Sequence, residues 1–496
     1  MSKIIKLIQS IHERQISNSF INKIYNMLCR KADFNDETID VVNSNISGEI
    51  TLNTPTYEEY VNYINDTFPN LIVHCNTYYI LFADANVKKR MFRSWGDGVG
   101  IISSDVTLTY LYETFSKNKM IEYYGGDNNN TASWKIESFN ELSKFTSVVT
   151  LMSSVFNGQC YLKSVDLKNI KTLDSYNFLF CSGLTNLGDT TNITSISGEM
   201  NFLGCSKLTS INLPSVSGTL GKQTFYGCTA LSSVNIPNVT VLDDENFYKC
   251  TALTSIDLPS VTSIKGSCFK GCTSLTTVTG SNLMYLKVSA FEGCTALSSI
   301  DFSNVIEFQG AVFSGCSNLG KNQDLDFNLD GKTFSANVFK GTGYKTITLH
   351  ETTKHNISNF SGSGQYDVFG ALMTNLQKFD LSDTKQTGST GSLYSNAMTT
   401  LIYPETQTSL ALIGRDYGTG LLYIICLSRQ LSDISTETYW EWAGMPAACA
   451  IYVWDDVFDT YLEMEGWQVQ YNAGRVKKIS QLPDNITWYT KEHPST

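Results

Sequence analysis

The chain has 496 residues, a formal net charge of −11, 42% hydrophobic residues and 17% charged residues. That length exceeds a single compact core, and that composition excludes a disordered tail. The acidic balance, with no basic cluster beyond Lys88-Lys89-Arg90, also argues against a nucleic-acid partner, which is gripped through grouped Lys and Arg.

In chain order, Ile4, Leu7, Ile8 and Ile11, then Phe20, Ile21, Ile24, Met27 and Leu28 recur at helical period. They predict an N-terminal helical attachment segment over 1–38, docked either on another subunit or on the first coil. Lys3 and Lys6 open the chain as a signal peptide would, but Gln9, His12, Glu13 and Arg14 interrupt the apolar stretch. No secretory signal is therefore expected. The longest apolar runs, such as Leu421 to Leu427 and Ala447 to Trp454, are seven and eight residues, short of the ~18 that a membrane helix needs. Residues 39–86 read as strand, helix, strand, with Thr54 or Thr56 starting the helix and Tyr57, Tyr60, Ile64 and Phe68 along one face of it. Residues 87–150 read as a helical cap module.

From there an internal period dominates. The unit F-x-G-C-x-x-L-x-x-[IV]-x-[LIF] recurs at Phe225–Cys228, Phe247–Cys250, Phe269–Cys272, Phe291–Cys294 and Phe313–Cys316, with successive cysteines 22 residues apart. Cys160, Cys181 and Cys205 continue it upstream at spacings of 21, 24 and 23. Each unit offers one short strand with apolar residues inward, such as Leu231, Val234 and Ile236, and a second inward set supplied by the Phe and the residues after the Pro. Burying about five apolar side chains gives ~8–15 kcal/mol, while ordering about 22 residues costs roughly 30 kcal/mol. One unit alone is unstable, so the units must stack and their ends must be capped. Pro214, Pro237 and Pro259 should stop the strands. One thiol per coil makes a column ~5 Å apart along a parallel sheet, with no C-x2-C and no His partner. It reads as reduced packing rather than a disulfide framework or a metal site.

The repeat F-x-G-C-x-x-L-x-x-[IV]-x-L-P resembles the BspA-type (Treponema-type) leucine-rich repeat, found in surface proteins of gut anaerobes and in tail-associated phage proteins. The resemblance implies an α+β repeat fold: a leucine-rich-repeat solenoid with short parallel strands, few helices, capped ends and an N-terminal helix. It also implies adhesion or receptor recognition without catalysis. Residues 39–86 resemble a divergent first repeat of such proteins. The segment Trp95 to Ser103 resembles half of a dockerin-like calcium hand, but only Asp97 and Asp105 offer carboxylates where a calcium loop needs several oxygens. A metal-free cap is expected there. Repeats are assigned to 151–400, loosening after Asp324 around SGSGQ (361–365) and TGSTGS (387–392), where Thr342 stands in the cysteine frame. Residues 401–496, with Ile451 to Val453, Trp454, Tyr461 and Gly466-Trp467, resemble terminal repeats and an aromatic closing cap.

The five histidines, 12, 74, 350, 355 and 493, show no metal or catalytic spacing, and His350 and His355 read as solvated. No nucleophile elbow or phosphate loop is present. No enzyme, cofactor or metal is expected. The outward positions of the repeat strands, on the expected concave side, are Ser210, Asn212, Ser233, Asn235, Ser255, Asp257, Ser299 and Asp301, with Thr209, Ser232, Thr254, Thr276, Thr277, Thr279 and Ser298. They lack the Trp, Tyr or Arg anchors of a strong protein interface. They fit a structural hydroxyl ladder or a weak contact with a surface protein or glycan. The expected role is a virion component of a tailed phage, in its tail or fibre, recognising the host surface through the array and joining other virion proteins through 1–38. A bacterial cell-surface adhesin and a cargo or scaffold protein binding partner subunits are the alternatives, and a homo-oligomer is left open.

Overall fold

The computed structural model describes residues 48–52, 56–57, 62, 66, 71–75, 78–79, 83, 136–335, 337–351, 376–384, 397–406, 420–431 and 448–488. The expected N-terminal helix, the calcium-hand-like loop with Asp97 and Asp105, His355 and the two Gly/Ser-rich loops lie outside these residues. The chain divides into two compact units, 1–193 and 194–496.

In the first unit, β1 (Gly48–Leu52) and β2 (Thr56–Tyr57) pair in parallel with β3 (Leu71–Cys75) and β4 (Tyr78–Tyr79). Asn62 and Asp66 are helical, but Thr56 and Tyr57, expected to open and line the helix, lie instead in β2, where they pair with Tyr78 and Tyr79. The coils then continue through β5 (Ser138–Phe139), β6 (Thr150–Leu151), β7 (Ser164–Val165) and β8 (Thr172–Leu173), with β5 parallel to β7 and β6 parallel to β8. The parallel ladder thus takes in residues 138–151, part of the stretch the sequence assigned to a helical module. The helix found there is a short 3-10 turn, Asn140–Lys144.

The second unit is a parallel solenoid. Its short strands β9 (Ser210–Asn212), β11 (Ser233–Asn235), β13 (Ser255–Asp257), β15 (Thr277–Thr279) and β17 (Ser299–Ile300) follow the Leu of each repeat. The return strands β10 (Ser217–Leu220), β12 (Asn238–Leu242), β14 (Ser263–Ile264), β16 (Tyr285–Leu286), β18 (Glu307–Phe308) and β20 (Thr333–Phe334) form one six-stranded sheet. Pro214, Pro237 and Pro259 stand within two residues of the ends of β9, β11 and β13, as a residue without an N–H should. Most of the predicted inward residues are fully buried, among them Leu231, Ile236, Leu253, Leu258 and Leu275. Val234 and Phe302, expected inward, are only half-buried.

The phenylalanines make a continuous column. Phe202, Phe225, Phe247, Phe269, Phe291 and Phe313 stack ring over ring, with centroids 5.2 to 5.7 Å apart and interplanar angles of 17° or less. That separation makes them offset stacks, the favoured parallel arrangement. Beside them runs a third hydrogen-bond ladder: the N–H groups of Gln223, Phe225 and Gly227 donate to the carbonyls of Asp244, Asn246 and Tyr248 in the next coil, each at 2.8 Å. Aiming them requires two left-handed residues per turn, here Gln223 (φ 55) and Gly227 (φ 69). The Gly of F-x-G-C serves that geometry. Lys249 occupies the same place at φ 56, a conformation that costs an L-residue roughly 1–2 kcal/mol.

The sheet widens towards the C-terminus. β19 (Asp324–Asn328), β21 (Thr346–His350), β22 (Lys378–Asp383), β23 (Thr400–Tyr403), β24 (Tyr423–Cys426), β25 (Ala450–Val453) and β26 (Val476–Lys478) pair in parallel in that order. Along one register column the outward residue changes from Asp326, Thr348 and Asp380 to Ile402, Ile425 and Tyr452. The chain itself covers this apolar end: Trp488, Trp454, Ile479, Leu482 and Ile486 pack on Ile402, Ile425 and Leu427. Two helices, α1 (Phe458–Leu462) and α2 (Glu465–Asn472), bring Tyr461 and the fully buried Trp467 into a stack at 5.0 Å. The last strand is three residues long and carries Lys477 and Lys478, a common way of blunting a sheet edge.

Two outcomes test this packing. Phe269→Ala, which removes a ring held on both faces, should cost about 3–5 kcal/mol in denaturant unfolding, and Phe269→Leu clearly less. Lys249→Gly should stabilise the chain by about 1 kcal/mol, while Gly227→Ala, whose added Cβ would meet no atom within 4 Å, should destabilise it by about as much through φ alone.

Candidate interaction surface

All eight outward residues singled out from the sequence are exposed. They stand in register across neighbouring strands: Ser210 beside Ser233, Asn212 beside Asn235, Ser255 beside Thr277, Asp257 beside Thr279, and Thr277 beside Ser299. Three columns result, and they differ in what their side chains already do.

In the first column three hydroxyls donate to the backbone carbonyl of their counterpart one coil back. Ser232 bonds Thr209 at 3.2 Å, Thr276 bonds Thr254 at 2.8 Å and Ser298 bonds Thr276 at 3.2 Å. In the third column the side chains bond one another or their own turn. Asn235 donates to Asn212 at 2.7 Å, Thr279 donates to Asp257 at 2.6 Å, and the Ser303 N–H and hydroxyl both donate to Asp301. The Ser303 backbone bond, then its hydroxyl, hold the Asp301 carboxyl below its ordinary pKa. Between these lies the column Ser210, Ser233, Ser255, Thr277 and Ser299, whose hydroxyls bond no protein atom among the described residues. Two of the three columns are therefore structural ladders, and the middle one is free for solvent or a ligand.

The cysteines take no part in this surface. Each column thiol donates to the carbonyl of the Phe in the preceding coil, as Cys228 does to Phe202 at 3.1 Å, Cys272 to Phe247 at 3.0 Å and Cys316 to Phe291 at 3.1 Å. Burial pushes the Cys228 and Cys294 thiols up to about 12, and raises Cys250, Cys272 and Cys316 as well. Thr342, in the cysteine frame, turns its hydroxyl to Phe339 of its own coil at 2.8 Å. Cys268, outside the frame, is buried beside the column. The described cysteines are free. Cys160 differs in being exposed.

The described C-terminal tryptophans, Trp454, Trp467 and Trp488, are not open ring platforms. Trp454 has Arg429 over one face at 4.7 Å, meets Trp488 edge-on, and donates its N–H to Leu427 at 2.7 Å. His350, read as solvated, is instead largely enclosed, with a ring nitrogen against each of Asp326 and Asp383. Nothing in the local sequence pointed to this, because Asp383 lies 33 residues away. Among the described residues no group of three or more His, Cys, Asp or Glu is placed to hold a metal ion, and no helix is long and apolar enough to cross a membrane.

The short parallel strands, the Phe column and the Leu-lined core define a leucine-rich-repeat solenoid. Residues 130–254 and 240–365 match the family model described as BspA type leucine rich repeat region, in six copies. No curated protein matches the chain in sequence. Among solved structures, a leucine-rich repeat protein from Bacteroides ovatus is similar at 18% identity and TM-score 0.46, over 67% of this chain and 88% of that one. A leucine rich cell surface protein from Faecalibacterium prausnitzii is similar at 18% identity and TM-score 0.27, over 61% of this chain and 80% of its own. The T. pallidum leucine rich repeat protein is 22% identical with a TM-score of 0.25, over 39% and 70%.

The thiol burial gives a direct test. Alkylation of the native chain, mapped by mass spectrometry, should modify Cys160 within minutes. Cys228, Cys250, Cys272, Cys294 and Cys316 should be at least about a hundredfold slower and react only on unfolding, since the thiolate is the reactive form and burial both suppresses it and blocks access.

Proposed function

We propose that the protein is a non-enzymatic recognition component of a tailed-phage particle, carried in the tail or fibre, with the exposed strand face turned to a host-surface protein or glycan. The observation that carries the binding role is the polar strand face between Thr209 and Asp301, in register within the pair β9 and β11 and within the set β13, β15 and β17, with a column of unspent hydroxyls at its centre. A surface this regular and this free of aromatic or Arg anchors suits a shallow, polyvalent contact rather than a single deep pocket.

The thiols support the particle reading over the adhesin reading. Among the described residues eleven cysteines are free and ten of them are buried, which suits a chain folded in a reducing compartment. Phage particles assemble in the cytoplasm, whereas an exported adhesin matures in more oxidising surroundings. In this proposal residues 1–38 attach the chain to other virion proteins.

Mass spectrometry of purified particles and of the cell envelope from one culture tests the location. Peptides enriched in the particles are expected, and peptides confined to the envelope would overturn the particle reading in favour of an adhesin. The face is tested with Ser233→Lys, Ser255→Lys and Ser299→Lys combined, which should lower binding of the full chain to host cells by about tenfold or more without changing its melting temperature by more than ~2 °C. Unchanged binding would place recognition elsewhere.

A further inference from the structure

The coil that joins β21 to β22 is the longest in the paired array. Successive partners in the sheet are 22 residues apart from Asp324 to Thr346 and again from Lys378 to Thr400, but 32 apart from Thr346 to Lys378. At this junction β22 carries a bulge: Thr348 pairs with Asp380, but His350 pairs with Asp383 rather than Ser382. A bulge re-aims the side chains beyond it, and here it sets the Asp383 carboxylate 3.0 Å from His350 Nδ1. On the other side His350 Nε2 meets the Asp326 carboxylate of β19. The imidazole is only 14% exposed, so three adjacent strands are joined through one largely enclosed ring.

The described charged groups around it are mostly acidic. β19 presents Asp324 and Asp326, and β22 presents Asp383 together with Lys378, whose amino group is 3.3 Å from Asp380. The ends of β21 itself carry Lys345 and the buried Glu351. A neutral imidazole has one N–H and can donate to only one of its two carboxylates, leaving a lone pair facing the other. The imidazolium donates to both.

We propose that His350 is a proton-dependent clasp: as the imidazolium it ties β19 and β22 to β21 across the longest coil, and on deprotonation it lets go of one carboxylate and loosens that junction. Extra protection of these strands is present while the ring is protonated and is lost once it deprotonates as pH rises.

Hydrogen exchange of the full chain at about pH 5.5 and 8, corrected for intrinsic rates, reads this locally in peptides covering 346–351 and 378–384. Protection should fall about five- to tenfold on going to the higher pH, with no comparable change in β13 to β17. In His350→Gln, which cannot charge, the protection of the same peptides should be flat. In Asp383→Asn, whose amide oxygen accepts without favouring the imidazolium, the fall should shrink by half or more. A flat profile in the unmodified chain would overturn the clasp, as would an equal fall in His350→Gln. Should His350→Gln fail to fold, an undiminished fall in Asp383→Asn would overturn it equally.

Discussion

The structure of the second unit depends on one constraint: in the regular coils the neighbour of a residue is its own counterpart one coil away. Phe247 has Phe225 on one face and Phe269 on the other, and the Cys of each coil bonds the Phe carbonyl of the coil before it. A side chain can join such a column only if it packs well against itself. Phe meets that condition by offset stacking. Cys meets it as a small apolar group with a weak donor that needs no proton acceptor of its own type. The left-handed turn residues follow from the same requirement, because they point the N–H groups along the stack rather than around the coil.

The same self-pairing empties most of the polar face of recognition chemistry. Thr and Ser in the outermost column satisfy the backbone of the coil behind them, and the Asn and Asp column satisfies itself. This explains how a face can be polar, exposed and regular without being rich in binding groups. What remains available is the middle hydroxyl column. Past β22 the face closes altogether, since Ile402 and Ile425 point outward and residues 479–488 return to cover them.

The regular coils were legible in the sequence because a 22-residue period places Phe, Cys and Leu by arithmetic alone. The outward residues followed from strand alternation, and the structure exposes all eight. Other features were hidden because they depend on contacts that no period encodes. Lys249 keeps the left-handed turn without the glycine that signals it. The His350 contacts need a bulge that shifts Asp383 by one place. The C-terminal strands pair across spacings of 27 and 25 residues, from Tyr423 to Ala450 and from Ile451 to Val476, which a search for the 22-residue unit passes over. The aromatic residues there were recognisable as a cap, but not that the chain would fold back across the outward face of β23 and β24.

That returning segment has a consequence for how such a molecule can vary. Between Phe225 and Phe313 each coil meets its neighbours through nearly the same atoms, so gaining or losing one coil would leave both ends of the stack chemically intact. Residues 479–488 are matched instead to Ile402, Ile425 and Leu427 and tolerate no such exchange. The length of the exposed face is thus a quantity that duplication can tune in steps of one hydroxyl row, while the terminus that closes the stack is inherited whole.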